Sequence, residues 1–277
     1  MTENIIISDL KDFEEKKKKI IKKGASNFHV ISDFDRTLTK CFVDGKRISS
    51  LISWLRNGNY LTKDYSSKAH ALFDEYHPIE INPNIPFEEK KEKMYEWWKK
   101  HFDLLIECGL DKDTIKKAVK DMIKENFLVL REGAKEFLKI LKERNIPLVI
   151  MSASVGDMII EFLKENNVYY DNIIVIANLL EYEGEKVIGV KEIIHVLNKK
   201  EVDVNLIKTK NRKNVLLLGD GLGDLGMIKG FDFDVLVSTG FLNENVDENL
   251  DSFKKNFDAV ILDDGDFGFV DDFIKEI

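Results

Sequence analysis

The chain predicts an α/β protein, a doubly wound parallel-sheet core with an all-helical cap inserted after the first strand, and three observations carry that prediction. From Gly133 onward, short continuous apolar runs alternate with amphipathic helical stretches, the pattern of a parallel sheet covered on both faces. One earlier run, Phe28 to Ile31, has the same strand character. Between the two, residues 44–125 carry almost no β signal. The expected division is a core from residues 1–44 and 126–277 and a helical cap from residues 45–125.

In chain order, residues 8–23 read as an amphipathic helix with Leu10, Phe13, Ile20 and Ile21 on its apolar side, ended by Gly24. The run Lys16 to Lys19 reads as a solvated face. In the cap, residues 49–55 and 63–76 read as helices, the second stopped by Pro78. Pro86 opens a long helix over 87–108 that Gly109 closes, and 111–124 follows with Ile115, Val119, Met122 and Ile123 on its buried side. Beyond the cap, helices at 133–144, 156–166 and 246–256 alternate with strands at 147–151, 172–177, 214–218, 234–238 and 259–262. There is no internal repeat and no low-complexity linker.

Composition narrows the function. A formal charge of −8 argues against an extended nucleic-acid polymer as partner, since that needs a basic footprint. Only two cysteines, Cys41 and Cys108, rule out a disulfide framework and point to a reducing, cytoplasmic setting. No apolar run near the N-terminus has signal-peptide or membrane-spanning length, so no membrane partner is expected.

In sheets of this kind ligands bind at the carboxyl ends of the strands. The first strand ends in Asp33-Phe34-Asp35-Arg36-Thr37, and two carboxylates one residue apart bring repulsion that a cation or a shared proton relieves. The next strand ends in Ser152-Ala153-Ser154, and the most apolar one in Gly219-Asp220-Gly221-Leu222-Gly223-Asp224. Lys199 lies between these last two in sequence. Each alone has a plainer reading: a capped turn, a serine N-cap, a tight glycine turn, and a solvated Lys199–Lys200 pair. Their joint occurrence in this order makes the plainer readings improbable.

The combination resembles the haloacid dehalogenase-like phosphatases, with Asp33, Asp35 and Thr37 as first motif, Ser152 as second, Lys199 as third, and Asp220 with Asp224 as fourth. His77-Pro78-Ile79-Glu80-Ile81, Glu96-Trp97, Ser152-Ala153 with Gly156-Asp157, and Asn198-Lys199 narrow the resemblance to the cytosolic 5'-nucleotidase III (pyrimidine 5'-nucleotidase) family.

The resemblance implies a Mg²⁺-dependent 5'-nucleotidase, a monomer that hydrolyses nucleoside 5'-monophosphates, pyrimidine ones in particular, through an aspartyl-phosphate. It implies Asp33 as nucleophile and Asp35 as general acid and base. The implied metal ligands are the Asp33 and Asp220 side chains and the Asp35 main-chain carbonyl, with Asp224 orienting them from behind. Ser152 and the Ala153 N–H would hold phosphate oxygens near a helix N-terminus, and Lys199 would neutralise charge on the phosphoryl group. Gly221 and Gly223 would let the backbone approach closely, and Thr37 would fix the motif turn.

Base recognition falls by the same resemblance to Glu80, Trp97, Trp98 and His101 in the cap. His101 stands where pyrimidine-specific members carry a smaller polar residue, and Ser154 where the second motif usually has glycine. A pyrimidine, a methylated purine or a larger base is therefore open, and another small phosphomonoester is the alternative substrate. A phospho-receiver domain would be shorter and would have no cap. Asp263-Asp264-Gly265-Asp266 lacks the spacing of a calcium loop and reads as a solvated turn.

Overall fold

The structure, a computed structural model, describes residues 4–199, 209 and 211–277. Its centre is a seven-stranded sheet in the order β1-β11-β10-β9-β2-β5-β6. Here β1 is Ile5–Ile7, β2 Phe28–Ser32, β5 Leu148–Val155, β6 Ile173–Asn178, β9 Asn214–Gly219, β10 Val235–Leu242 and β11 Ala259–Leu262. All pairings are parallel except β1 with β11. Three residues are too few to register as a strand by pattern, so β1 was not anticipated. The motif-bearing strand is thus the second in the chain, though the first of the parallel set.

Alternation along the buried strands builds two apolar layers. Val30, Leu148, Ile150, Leu216 and Leu218 face one; Ile31, Val149, Met151, Val215 and Leu217 face the other. Helices α1 (Leu10–Lys23), α6 (Ala134–Glu143), α7 (Gly156–Glu165), α8 (Val246–Asn256) and α9 (Gly268–Lys275) cover the two faces. In α1 the core takes Phe13 and Ile20, while Lys16 and Lys17 of the lysine run pair with Asp258 and Glu276 across the surface.

Four helices lie between β2 and α6: α2 (Leu51–Asn57), α3 (Tyr65–Ile81), α4 (Phe87–Glu107) and α5 (Lys112–Lys124). A two-stranded ribbon, β3 (Phe42–Val43) with β4 (Lys46–Arg47), leads into them. A second hairpin, β7 (Leu180–Glu183) with β8 (Lys186–Val190), supports α4. Helix α5 packs on α7, and Leu51, Leu55, Phe102 and Met122 share one apolar cluster with Phe34, Leu148 and Phe162 of the α/β layers.

Pro78 does not stop α3, which runs on to Ile81. The proline forfeits one backbone hydrogen bond, and packing of α3 along α4 outweighs that loss: Tyr76 stacks on Trp97 with ring centroids 6.0 Å apart. The extra turn matters because it leaves Glu80 on the same helical face as Phe73 and His77. No described helix is long and apolar enough to cross a membrane.

Candidate active site

Register places three loops side by side. Ser32 at the end of β2 pairs with Ile150 of β5 and Leu218 of β9. Asp33 and Asp220, which follow β2 and β9, and Ser152, two residues beyond Ile150 within β5, therefore lie side by side, and the Asp33 N–H donates to the Leu218 carbonyl at 3.0 Å. All three line a cavity of about 730 Å³, together with Asp35, Ala153, Ser154, Lys199 and Asp224.

The opposite wall comes from three helices, each presenting residues about one turn apart. Ile52 and Arg56 come from α2, Phe73, His77 and Glu80 from α3, and Trp97, Trp98 and His101 from α4. The sequence-predicted residues Glu80, Trp97, Trp98 and His101 thus share one cavity with the acidic loops. His77 Nδ1 lies 3.0 Å from Glu80 Oε2 and its ring stacks on Phe73. Trp97 lies between Tyr76 and Phe73, whereas Trp98 packs on His101 and Phe102. His101 is not a surface histidine: it is 3% exposed, its Nε2 is 3.0 Å from the Tyr65 hydroxyl, and burial with the nearby Arg56 pushes its pKa down to about 4.

Carboxylate oxygens of Asp33, Asp220 and Asp224 lie within 4.8 Å of one another. Lys199 Nζ donates to Asp33 and, at 2.9 Å, to Asp224. Burial pushes Asp33 well above the usual carboxylate range against the pull of Lys199, and Asp224 and Asp220 add to the push. Asp220 is pushed up to about 7, by burial first and then by Asp224. Burial works against the Lys199 ammonium, but Asp224 and Asp33 outweigh it and hold that group charged. Lys200 lies outside the described residues.

Asp224 spends both oxygens inside the protein: Oδ2 accepts from the Asp220 and Gly221 N–H groups at 3.1 Å, while Oδ1 holds Lys199. The glycine this packing requires is Gly219, where a Cβ would meet the Asp224 side chain at 2.5 Å; at Gly221 a Cβ would make only ordinary contact with Asp224 Oδ2, at 3.8 Å, and at Gly223 it would meet nothing within 4 Å. Among the described residues the Asp35 carbonyl accepts no hydrogen bond. The Asp33, Asp220 and Asp224 carboxylates form an oxygen-only cluster, in which added positive charge would relieve the crowding; that fits a hard divalent cation.

Asp35 turns its Oδ2 to the Ser154 hydroxyl at 2.7 Å, while its Oδ1 is buried with no partner among the described residues. Burial raises its pKa and the Ser154 bond opposes the rise. Ser154 therefore touches the second aspartate of the motif and does more than reshape a turn. Ser152 does not cap a helix: β5 continues to Val155, α7 starts at Gly156, and the Ser152 hydroxyl accepts from the Ser154 N–H at 3.1 Å. Nor does the Thr37 hydroxyl hold the motif turn, since it has no partner among the described residues; Thr39 Oγ1 does so by accepting from the Arg36 N–H at 2.9 Å.

Two supports escaped the sequence reading. Arg131, fully buried, donates to the carbonyls of Arg36, Thr37, Thr39 and Gly265 and pairs with Asp264 at 2.9 Å. It clamps the loop after Asp35, where Arg36 takes a left-handed backbone (φ 61) that disfavours a side chain. Asp264 also accepts from the Cys41 and Phe42 N–H groups, so its turn is an anchor rather than a solvated loop. Asn178 bridges the Ala153 carbonyl and both backbone groups of Ile194, tying the serine loop to the segment that carries Lys199. A polar residue finishing an apolar strand was the available signal for Asn178; a lone arginine in Leu130-Arg131-Glu132-Gly133 gave none for Arg131.

Acidic loops gripping a buried lysine at the strand ends of such a sheet, under a helical cover, define a haloacid dehalogenase-like phosphatase, a hydrolase of phosphomonoesters. Structural likeness agrees. The crystal structure of cytosolic 5'-nucleotidase IIIB bound to cytidine matches with a TM-score of 0.90 and 25% identity, over 100% of this chain and 94% of that one. A HAD family hydrolase of Salmonella enterica serovar Typhi shares the fold alone, at a TM-score of 0.57 and 15% identity over 90% of this chain and 71% of that one. In sequence, the 7-methylguanosine phosphate-specific 5'-nucleotidase A of Xenopus laevis is 34% identical over 269 residues, 95% of this chain and 91% of the relative. The profile of the pyrimidine 5'-nucleotidase (UMPH-1) family matches residues 36–277, and the chain belongs to that family.

Proposed function

We propose that this 5'-nucleotidase uses Mg²⁺ to release phosphate from nucleoside 5'-monophosphates with a pyrimidine base, and that residues 45–125 act as the cap that selects the base. The observation that carries the reading is one cavity with an acid–lysine cluster at one end and Glu80, Trp97 and His101 at the other. The cytidine bound by the structural neighbour supports the pyrimidine.

Asp33 attacks phosphorus, the bond to the nucleoside 5'-oxygen breaks, and Asp35 gives that oxygen its proton. Asp35 then takes a proton from water, which attacks the aspartyl-phosphate and frees phosphate and Asp33. Ser152 and the Ala153 N–H hold phosphate oxygens, and Lys199 offsets their charge. The Asp33 and Asp220 carboxylates and the Asp35 carbonyl would hold Mg²⁺, which supplies Lewis-acid stabilisation when bound.

A panel of cytidine, uridine, adenosine, guanosine and 7-methylguanosine 5'-monophosphates, assayed with and without Mg²⁺, tests the reading. Phosphate release should require the metal and favour the pyrimidines, and Glu80→Ala should cut that preference by about tenfold. Indifference of the wild type to the base would sink nucleotide selection and leave another small phosphomonoester as substrate.

Ser154→Ala should lower kcat on the preferred nucleotide by about tenfold, because it removes the hydroxyl that donates to the buried Asp35 carboxylate. Ser154→Thr should restore most of the loss. A kcat for Ser154→Ala equal to wild type would show that Asp35 needs no such support.

A further inference from the structure

The cap wall of the cavity contains a cation that the catalytic reading leaves unused. Arg56, in the last turn of α2, is only 9% exposed and lines the cavity with Phe73, Glu80, Trp97 and His101. Its guanidinium lies over the Phe73 ring, 4.1 Å from the centroid, and its buried Nε has no hydrogen-bond partner. Among the described residues no carboxylate comes within ion-pairing distance of it; Asp74 and Tyr65 act on it only from further away.

Buried arginines are normally paired, because taking the charge out of water costs several kcal/mol. Burial accordingly pushes the Arg56 pKa below its ordinary value. The aromatic wall offers little to accept its hydrogens: the Phe73 and Trp97 rings present only π faces, and His101 has its Nε2 on the Tyr65 hydroxyl. A planar ligand between these rings that presents oxygen or imine-nitrogen lone pairs would complete the site.

We propose that Arg56 reads the base: it donates to the acceptor edge of an uncharged nucleobase, such as O2 and N3 of cytosine, and disfavours a base carrying positive charge. The inference rests on the nucleotidase reading. A 7-methylguanine ring is cationic near neutral pH and has its N7 acceptor blocked, so it meets Arg56 with like charge. The same cavity would hold a neutral pyrimidine with a charge-assisted hydrogen bond. Arg56 thus counters Glu80, whose carboxylate favours donors and positive charge.

The test compares kcat/KM for cytidine 5'-monophosphate and 7-methylguanosine 5'-monophosphate in the wild type and in Arg56→Met, which keeps an apolar stem over Phe73. Both substrates meet the same folded population, so their ratio is independent of any loss of folding. Arg56→Met should shift the ratio toward the methylated purine by about 10- to 100-fold. A ratio within twofold of wild type would overturn the role of Arg56 and leave the nucleotidase reading standing. A wild type that releases phosphate from neither these two nor any other nucleoside monophosphate would overturn both.

Discussion

Asp33→Asn is expected to lower phosphate release from the preferred nucleotide by about 10⁴-fold, the scale seen when a covalent nucleophile is removed. The amide is close in shape to the carboxylate and can still accept from Lys199 Nζ, so the loops should keep their arrangement. What changes is charge and nucleophilicity. Asp33 is buried beside Asp220 and Asp224, and burial already pushes its carboxyl up. Removing that charge relieves repulsion, and the variant should melt at or above the wild-type temperature. Mg²⁺ should bind more weakly, since one of the clustered carboxylates is gone. An intact melting transition with almost no turnover is the expected pair of results; turnover within tenfold of wild type would remove Asp33 as the attacking group.

Arg131→Met is expected to cost about 4 kcal/mol of stability and to lower the melting temperature by about 10 °C. The guanidinium is fully buried and satisfies four main-chain carbonyls, the Asn243 amide oxygen at 3.0 Å and Asp264. An apolar side chain of similar length would strand those acceptors and leave the Asp264 charge without its arginine. Activity should fall as well, even far below the melting point, because the clamp holds Arg36 in its left-handed conformation directly after Asp35. Arg131→Lys should recover only part of the stability, because an ammonium cannot reach the same set of carbonyls. Thermal melting followed by kcat at 25 °C checks both; a shift in melting temperature under about 2 °C would mean that the loop is held by other contacts.

These two residues differ in how they could be found. Asp33 stands in a local pattern, an apolar strand running into Asp-x-Asp, and its partners announce themselves at the ends of other apolar strands. Ser152, Asp220 and Asp224 are legible for the same reason, since a parallel sheet must bring its strand ends to one edge. The helices of residues 45–125 were legible from spacing, though Pro78 was misread because packing along α4 overrides the loss of one hydrogen bond. Thr37 and Thr39 show the limit of local inference: both lie in the motif, and only the folded loop decides which hydroxyl turns inward to hold the Arg36 N–H.

Arg131 has no such pattern, because its partners come from segments near residues 36–39, 243 and 264, joined only by the fold. The same holds for the Ser154–Asp35 bond, which spans 119 positions in sequence. It holds again for Arg56, which faces Phe73 and His101 only because α2, α3 and α4 pack around one cavity. That Asp33, Asp35, Ser152 and Asp220 meet in one cavity could be read from the chain, since they stand at the ends of strands whose pairing is set by their own apolar pattern. Support of the loop after Asp33 and the surroundings of Arg56 and His101 came only with the tertiary structure, because both depend on which side chains from distant segments are buried together.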